Sequence, residues 1–299
     1  MPEPLPTHWP YRALYENVRH TLDLLPARFS SALRVQGIAA TDLHSFNAPL
    51  GAAIESQVVE RLNELRELWD PAKTYSAYTF IRQAQRFPDV ILRSADPRAD
   101  EPILLGIELK GWYVLAKEGE PSFRYTVSPA VCAPPDLLVI YPWALENVTS
   151  GSPVLYAPYV VTARYAAEYR NWWWQHGRAT GESAALHYSS VTTAYPTKDA
   201  KIADRPVSDS GGNFGRLART GIMGAYVRAR LAEPLSGIPL WAWQRFFRVF
   251  AESRTEAQAE REIGRLVRDI ASRTAALPAP RVEEIAAHIE AVVDLLRAE

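Results

Sequence analysis

The chain has 299 residues, of which 47% are hydrophobic and 22% charged, and its formal net charge is −1. That is a globular composition, with enough apolar material for one large core or two modest domains. Near-neutrality excludes a global basic field, although a local basic surface suffices for nucleic acid. The single cysteine, Cys132, excludes an intrachain disulfide framework and a multi-cysteine zinc site.

The N-terminal residues show no basic stretch followed by an apolar one, and no run of about 18 apolar residues occurs. The expectation is a cytoplasmic protein without a membrane partner. Residues 1–50 mix prolines with aromatic and leucine-rich pieces and read as an N-terminal helical lobe, with a helix near 11–25. In 51–69, Ile54, Val58, Leu62, Leu65 and Trp69 recur at helical spacing, and Asp70-Pro71 supplies a stop. Glu55 flanks that apolar stripe. Strands are predicted in 74–85, 88–93 and 103–110, with a polar turn at 94–102. The continuous apolar run at 136–145 predicts a strand buried on both faces. An aromatic-rich helix follows at 163–175, then a polar, loop-rich region at 177–221. From 236 the chain reads as helical, with Pro278 and Pro280 separating two helical pieces. The class is α/β in the α+β sense: a mixed sheet flanked by helices, with a helical C-terminal region at 236–299.

The strand at 103–110 poses the central question. Period two puts Ile103, Leu105, Ile107 and Leu109 on one face and Leu104, Gly106, Glu108 and Lys110 on the other. An apolar strand with two ionisable groups on one face, roughly 7 Å apart along the strand, calls for a reason. The preceding strand begins at Pro88-Asp89. If the two strands pair as a hairpin, Asp89 meets Glu108 and Lys110. Two carboxylates suit Mg²⁺, which prefers oxygen ligands, and such an ion can activate water and polarise a phosphodiester. An ammonium nearby can orient the water or offset negative charge on the phosphate.

Pro88-Asp89 followed by Glu108-Leu109-Lys110, with a glutamate on an upstream helix, resembles the PD-(D/E)xK nuclease superfamily. Its common members are restriction endonucleases and related DNA-cleaving enzymes. The resemblance covers about 51–145 and implies a restriction-endonuclease-like sheet in the order α-β-β-β-α-β. It implies that Asp89 and Glu108 hold the metal, with the backbone carbonyl of Leu109 as a further ligand. Lys110 would be the catalytic lysine and Glu55 the helical carboxylate that assists metal binding, with Glu60 as a fallback farther from the apolar stripe. It implies Mg²⁺ as cofactor (Mn²⁺ as a substitute), double-stranded DNA as substrate, and products with a 5′-phosphate and a 3′-hydroxyl. One departure is visible. The segment between Lys110 and Asp136 contains Pro121, Pro129, Pro134 and Pro135, so the intervening helix must be short or displaced. A rival pattern, Pro135-Asp136 with Asp199-Ala200-Lys201, is widely separated, and its lysine lies in polar sequence rather than in a strand.

Residues 146–235 read as a DNA-contacting region. Within 196–230 there are seven Lys or Arg against three Asp. The expected contacts are Lys198, Lys201, Arg205, Asn213, Arg216 and Arg219, with Lys117 and Arg124 just after the catalytic strand. The glycine-rich turn at 211–215 can present N–H groups to phosphate but lacks the Lys-Ser/Thr of a P-loop. The plainer reading of these loops is a solvated surface. Trp172, Trp173 and Trp174 lie about 100° apart on a helix, which favours packing over a base-stacking ladder. His176 and His187 have no helical partner that would make a zinc site. Two roles fit the helices of 245–299: a dimer interface, suited to cutting both strands of a duplex, or completion of the core.

The expected function is a Mg²⁺-dependent DNA endonuclease, a type II-like restriction enzyme in defence against foreign DNA. A methyltransferase or other defence subunits would be its partners. The alternatives are a repair or recombination nuclease on the same core and a non-catalytic DNA-binding subunit.

Overall fold

The computed structural model describes residues 5, 8–37, 43–83, 86–116, 118–181, 184–188, 193–196, 212–252 and 255–273. Helix α1 (Arg12–Arg28) buries Leu14, Val18, Leu22 and Leu25 along one face. It extends past the expected end at 25 and includes Pro26 in its last turn. Proline has no N–H, so the Leu22 carbonyl loses its intrahelical donor. The Tyr141 hydroxyl donates to that carbonyl instead, at 2.9 Å. Helix α2 (Leu43–Glu64) likewise begins before the expected 51 and runs through Pro49. The 50/51 boundary therefore falls inside a helix. After a break at Leu65, the single turn α3 (Arg66–Trp69) ends at Trp69, whose indole N–H donates to the Leu62 carbonyl at 2.7 Å.

Six strands form one sheet: β1 (Tyr78–Arg82), β2 (Val90–Ser94), β3 (Ile103–Tyr113), β4 (Leu137–Leu145), β5 (Pro153–Leu155) and β6 (Tyr159–Thr162). The order is β1-β2-β3-β4-β5, with β6 also paired to β4. β1, β2 and β3 are antiparallel neighbours, whereas β3 and β4 are parallel. A parallel pair needs a crossover. Among the described residues of that crossover, the helical part is one short 3₁₀ turn at Pro129–Val131, as the prolines there demand. All nine residues of β4 are buried, which accounts for its unbroken apolar run.

Helix α4 (Ala163–Trp172) starts where the Thr162 hydroxyl accepts the Tyr165 N–H, and it passes through a π turn (Trp173–Gly177) into α5 (Arg178–Thr180). None of Trp172, Trp173 and Trp174 is fully exposed; Trp173 and Trp174 meet edge to face at 4.8 Å. Next come α6 (Gly224–Leu231), the small ladder β7 (Pro234–Leu235) with β8 (Ile238–Pro239), then α7 (Leu240–Glu252) and α8 (Glu256–Arg273). Trp243, Phe246, Leu266 and Ile270 join the same buried cluster as Leu14, Ile54 and the sheet. So α7 and α8 complete the core, and the four regions read from the sequence share it. The second predicted helical piece, beyond 280, lies outside the described residues. Among the described residues no helix is long and apolar enough to cross a membrane. The observed class is the expected one in its coarse form, a mixed sheet flanked by helices.

Candidate active site

Strand β3 outruns its neighbour. Pairing with β2 starts at Val90↔Ile107, but β3 continues to Tyr113, still paired to β4. Past Ile107 one edge of β3 is therefore free of a strand. The N–H and C=O of one strand residue point to the same edge, and successive residues alternate. The N–H groups of Leu109 and Gly111 face the open edge, and carboxylates receive them. Asp89 Oδ2 accepts from Leu109 N–H at 3.0 Å, and Glu55 Oε1 accepts from Gly111 N–H at 3.1 Å. The same alternation aims the Leu109 carbonyl at this edge.

The side chains converge there as well. Lys110 Nζ lies 3.0 Å from Asp89 Oδ2 and 2.9 Å from Glu108 Oε1. Glu108 Oε2 accepts the backbone N–H of Asp89 at 3.2 Å. Glu55, on α2, lines a cleft of about 240 Å³ together with Lys110, Gly111, Trp112, Ser122 and Phe123. Glu60 is exposed and does not line it.

Asp89 is held by the turn before β2. Gln83 donates its backbone N–H to the Asp89 carbonyl at 2.6 Å and its side-chain amide to the Pro88 carbonyl at 2.9 Å. Pro88 lies directly on Gly106. A Cβ at Gly106 would stand 2.3 Å from Pro88 Cγ and 2.8 Å from Asp136 Oδ1. Only glycine lets the Pro88-Asp89 turn approach β3 this closely.

Asp136 is fully buried and accepts from Gly106 N–H at 2.7 Å, Ala133 N–H at 2.8 Å and the Tyr195 hydroxyl at 2.6 Å. Burial pushes its carboxyl up to about 6, against the pull of those three donors. The second Pro-Asp of the sequence is thus a brace between β3 and β4. Asp199 and Lys201, the rest of the rival pattern, lie outside the described residues.

The electrostatics follow from burial. Glu108 is pushed up to about 7 by desolvation; the Asp89 charge adds to this and the Lys110 ammonium opposes it. Glu55 is also raised by desolvation, with Lys110 again opposing. Burial alone would lower Lys110, but Glu108 and Asp89 together outweigh it and raise its pKa. The ammonium is therefore locked between two carboxylates.

Among the described residues no group of three or more His, Cys, Asp or Glu is arranged to hold a metal ion. The cation between Asp89 and Glu108 is the Lys110 ammonium. The carboxylate oxygens of Asp89 and Glu108 are hard donors of the kind that Mg²⁺ and Mn²⁺ prefer, so the donor set fits such an ion if Lys110 yields its place.

Four of the expected nucleic-acid contacts also come together. Arg124 and Arg216 form an antiparallel bridge, and Tyr125 N–H donates to the Gly215 carbonyl at 2.6 Å. Gly215 has φ 87°, and a Cβ there would stand 2.9 Å from Thr126 Cγ2. Arg219 donates to Asn213 Oδ1 at 2.6 Å and lies 3.6 Å from Glu120. Lys117, Lys198, Lys201 and Arg205 lie outside the described residues.

A residue that the sequence reading missed holds this bridge. Arg170 on α4 is fully buried and donates to the carbonyls of Tyr125 at 2.8 Å and Val127 at 2.7 Å. Its guanidinium lies 5.0 Å from the Phe214 ring centroid. A signal existed: Ala163, Ala166, Ala167 and Arg170 recur at helical spacing, and all four are buried. No family model matches this chain, and neither a curated protein nor a solved structure matches it.

Proposed function

We propose that the protein is a divalent-metal-dependent DNA endonuclease, a restriction-type enzyme that hydrolyses phosphodiester bonds of foreign DNA. The observation behind this reading is the convergence of Asp89, Glu108 and Lys110 at the open edge of β3, with Glu55 at the next amide along. A plain surface ion pair does not need three ionisable groups, a buried glutamate and a glycine that seats the turn. The order of α2, the antiparallel β1-β2-β3 meander and the parallel β4 also agrees with a PD-(D/E)xK core.

In this reading Asp89, Glu108 and the Leu109 carbonyl would hold Mg²⁺ or Mn²⁺. The ion would supply Lewis acidity toward a phosphodiester oxygen and toward water. The protein residues do the rest. Glu108 must be ionised, which its burial opposes near neutral pH and a second cation would favour. Lys110, freed from the carboxylates, turns its ammonium to the phosphate and offsets charge that develops there. Glu55 accepts the Gly111 amide N–H and lines the cleft beside Lys110.

The test is cleavage of plasmid and phage DNA with Mg²⁺ or Mn²⁺ by wild type, Glu108→Ala and Lys110→Ala. Each variant should lose about 100-fold or more in rate while its circular dichroism stays native. Equal rates in all three, or no cleavage by wild type across metals and DNAs, would remove the proposal. Discrete bands support restriction, whereas progressive shortening of linear DNA points to a repair or recombination nuclease.

A further inference from the structure

Arg124 and Arg216 stand directly opposite each other in an antiparallel bridge. Directly opposed residues present their side chains on one face, and like charges placed so repel. Among the described residues neither arginine forms an ion pair with a carboxylate. Arg216 donates through Nη1 to the Ser122 carbonyl at 3.4 Å, and its Nε is buried without a partner. Arg124 is exposed and runs the other way along the bridge, its Nη2 3.5 Å from where a Cβ at Gly212 would stand. The two guanidinium groups are splayed, one toward Ser122 and one toward Gly212.

This repulsive pair is built in. The buried Arg170 pins one strand of the bridge through the Tyr125 and Val127 carbonyls and lies against Phe214 of the other. The φ of Gly215 admits the close pairing. The pair also adjoins the candidate active site, because Ser122 and Phe123 wall the cleft that Glu55 and Lys110 line. A fixed, like-charged pair beside a cleft is stabilised when anionic oxygens, such as those of successive phosphates, sit at the two prongs.

We propose that Arg124 and Arg216 form a phosphate clasp that grips the backbone of the DNA strand beside the Glu55–Lys110 cleft. The identity of the strand rests on the nuclease reading; the clasp itself rests on the bridge. Phosphate contacts of this kind position DNA without reading its bases. Binding through the clasp therefore depends on salt and not on sequence.

The test is fluorescence anisotropy of the full chain with a labelled duplex of about 20 base pairs, without divalent metal, from about 0.05 to 0.3 M salt. Arg124 is the clean position, since it is exposed. Arg124→Gln should weaken binding about fivefold near 0.1 M salt and flatten the slope of log K against log salt by about one. Arg124→Lys should keep the slope. Arg216→Gln, checked by thermal melting, should reproduce the first result. Wild-type affinity and slope in Arg124→Gln would overturn the clasp. If that happens while wild type still cleaves DNA, the nuclease reading stands alone. If the clasp behaves as expected but no metal supports cleavage, the clasp stands as a binding surface and the nuclease reading falls.

Discussion

Lys110 occupies the point where two carboxylates meet, and its position explains how an apolar strand tolerates Glu108. Desolvation raises the Glu108 carboxyl from 4.5 to about 7, so the folded chain holds that proton more tightly than the unfolded chain. The stability this contributes is full below about pH 4.5 and is lost as pH rises through about 7. Glu55 acts with the same sign. Asp136 adds a decline between 3.8 and about 6, but it does so equally in wild type and in a Glu108 variant. Metal-free wild type should therefore lose more urea resistance than Glu108→Gln between about pH 5 and about pH 8. Parallel pH curves for the two proteins would show that Glu108 is not desolvated as described. At this scale the sequence was informative where alternation was strict. Glu108 and Lys110 stood out because everything around them in β3 is apolar. The bracing roles of Asp136 and Gly106 did not, because they arise from a contact between the turn at Pro88, β3 and the residue before β4 that no local pattern encodes. Arg170 was hidden because an arginine on an amphipathic helix reads as solvated by default.

Among the elements, β3 decides the site by being longer than β2. Its last amides find no strand partner, and side-chain carboxylates complete the edge in place of backbone. The hairpin and the doubly buried strand β4 were legible from turn residues and an apolar run; the parallel pairing of β4 with β3 was not. The end of α1 and the start of α2 were not, since Pro26 and Pro49 lie within them and proline disfavours a helix interior. Tertiary contacts override that propensity, as the Tyr141 hydroxyl on the Leu22 carbonyl shows. The seating of the Pro88-Asp89 turn on β3 gives a prediction for this scale. Gly106→Ala places a methyl in the space of Pro88 and Asp136 and should cost about 1–3 kcal/mol by overpacking. It should also lower metal-dependent cleavage more than its effect on melting explains, because Asp89 moves with Pro88. A neutral Gly106→Ala in both assays would show that the turn can relax without moving Asp89.

Across the whole molecule, one core joins α1, α2, the sheet, α7 and α8, and the site sits where its pieces meet. Glu55 arrives from α2, Asp89 from the turn before β2, and Glu108 and Lys110 from β3, while 122–127 and 212–216 close the flank. Sequence patterns anticipated α1, α2, β1 to β4, α4 and α7, but not β5, β6 or this shared core. A buried cluster spanning Leu14 to Ile270 depends on long-range packing. The claim that ties the scales together is that Asp89 and Glu108 exchange the Lys110 ammonium for a divalent cation. Calorimetric titration of Mn²⁺ into the metal-free protein near pH 7, where Glu108 still holds much of its proton, tests it directly. Wild type should show saturable binding with proton release, weakened about tenfold or more in Asp89→Asn and Glu108→Gln. Identical titrations in all three proteins, or no binding by wild type, would contradict it.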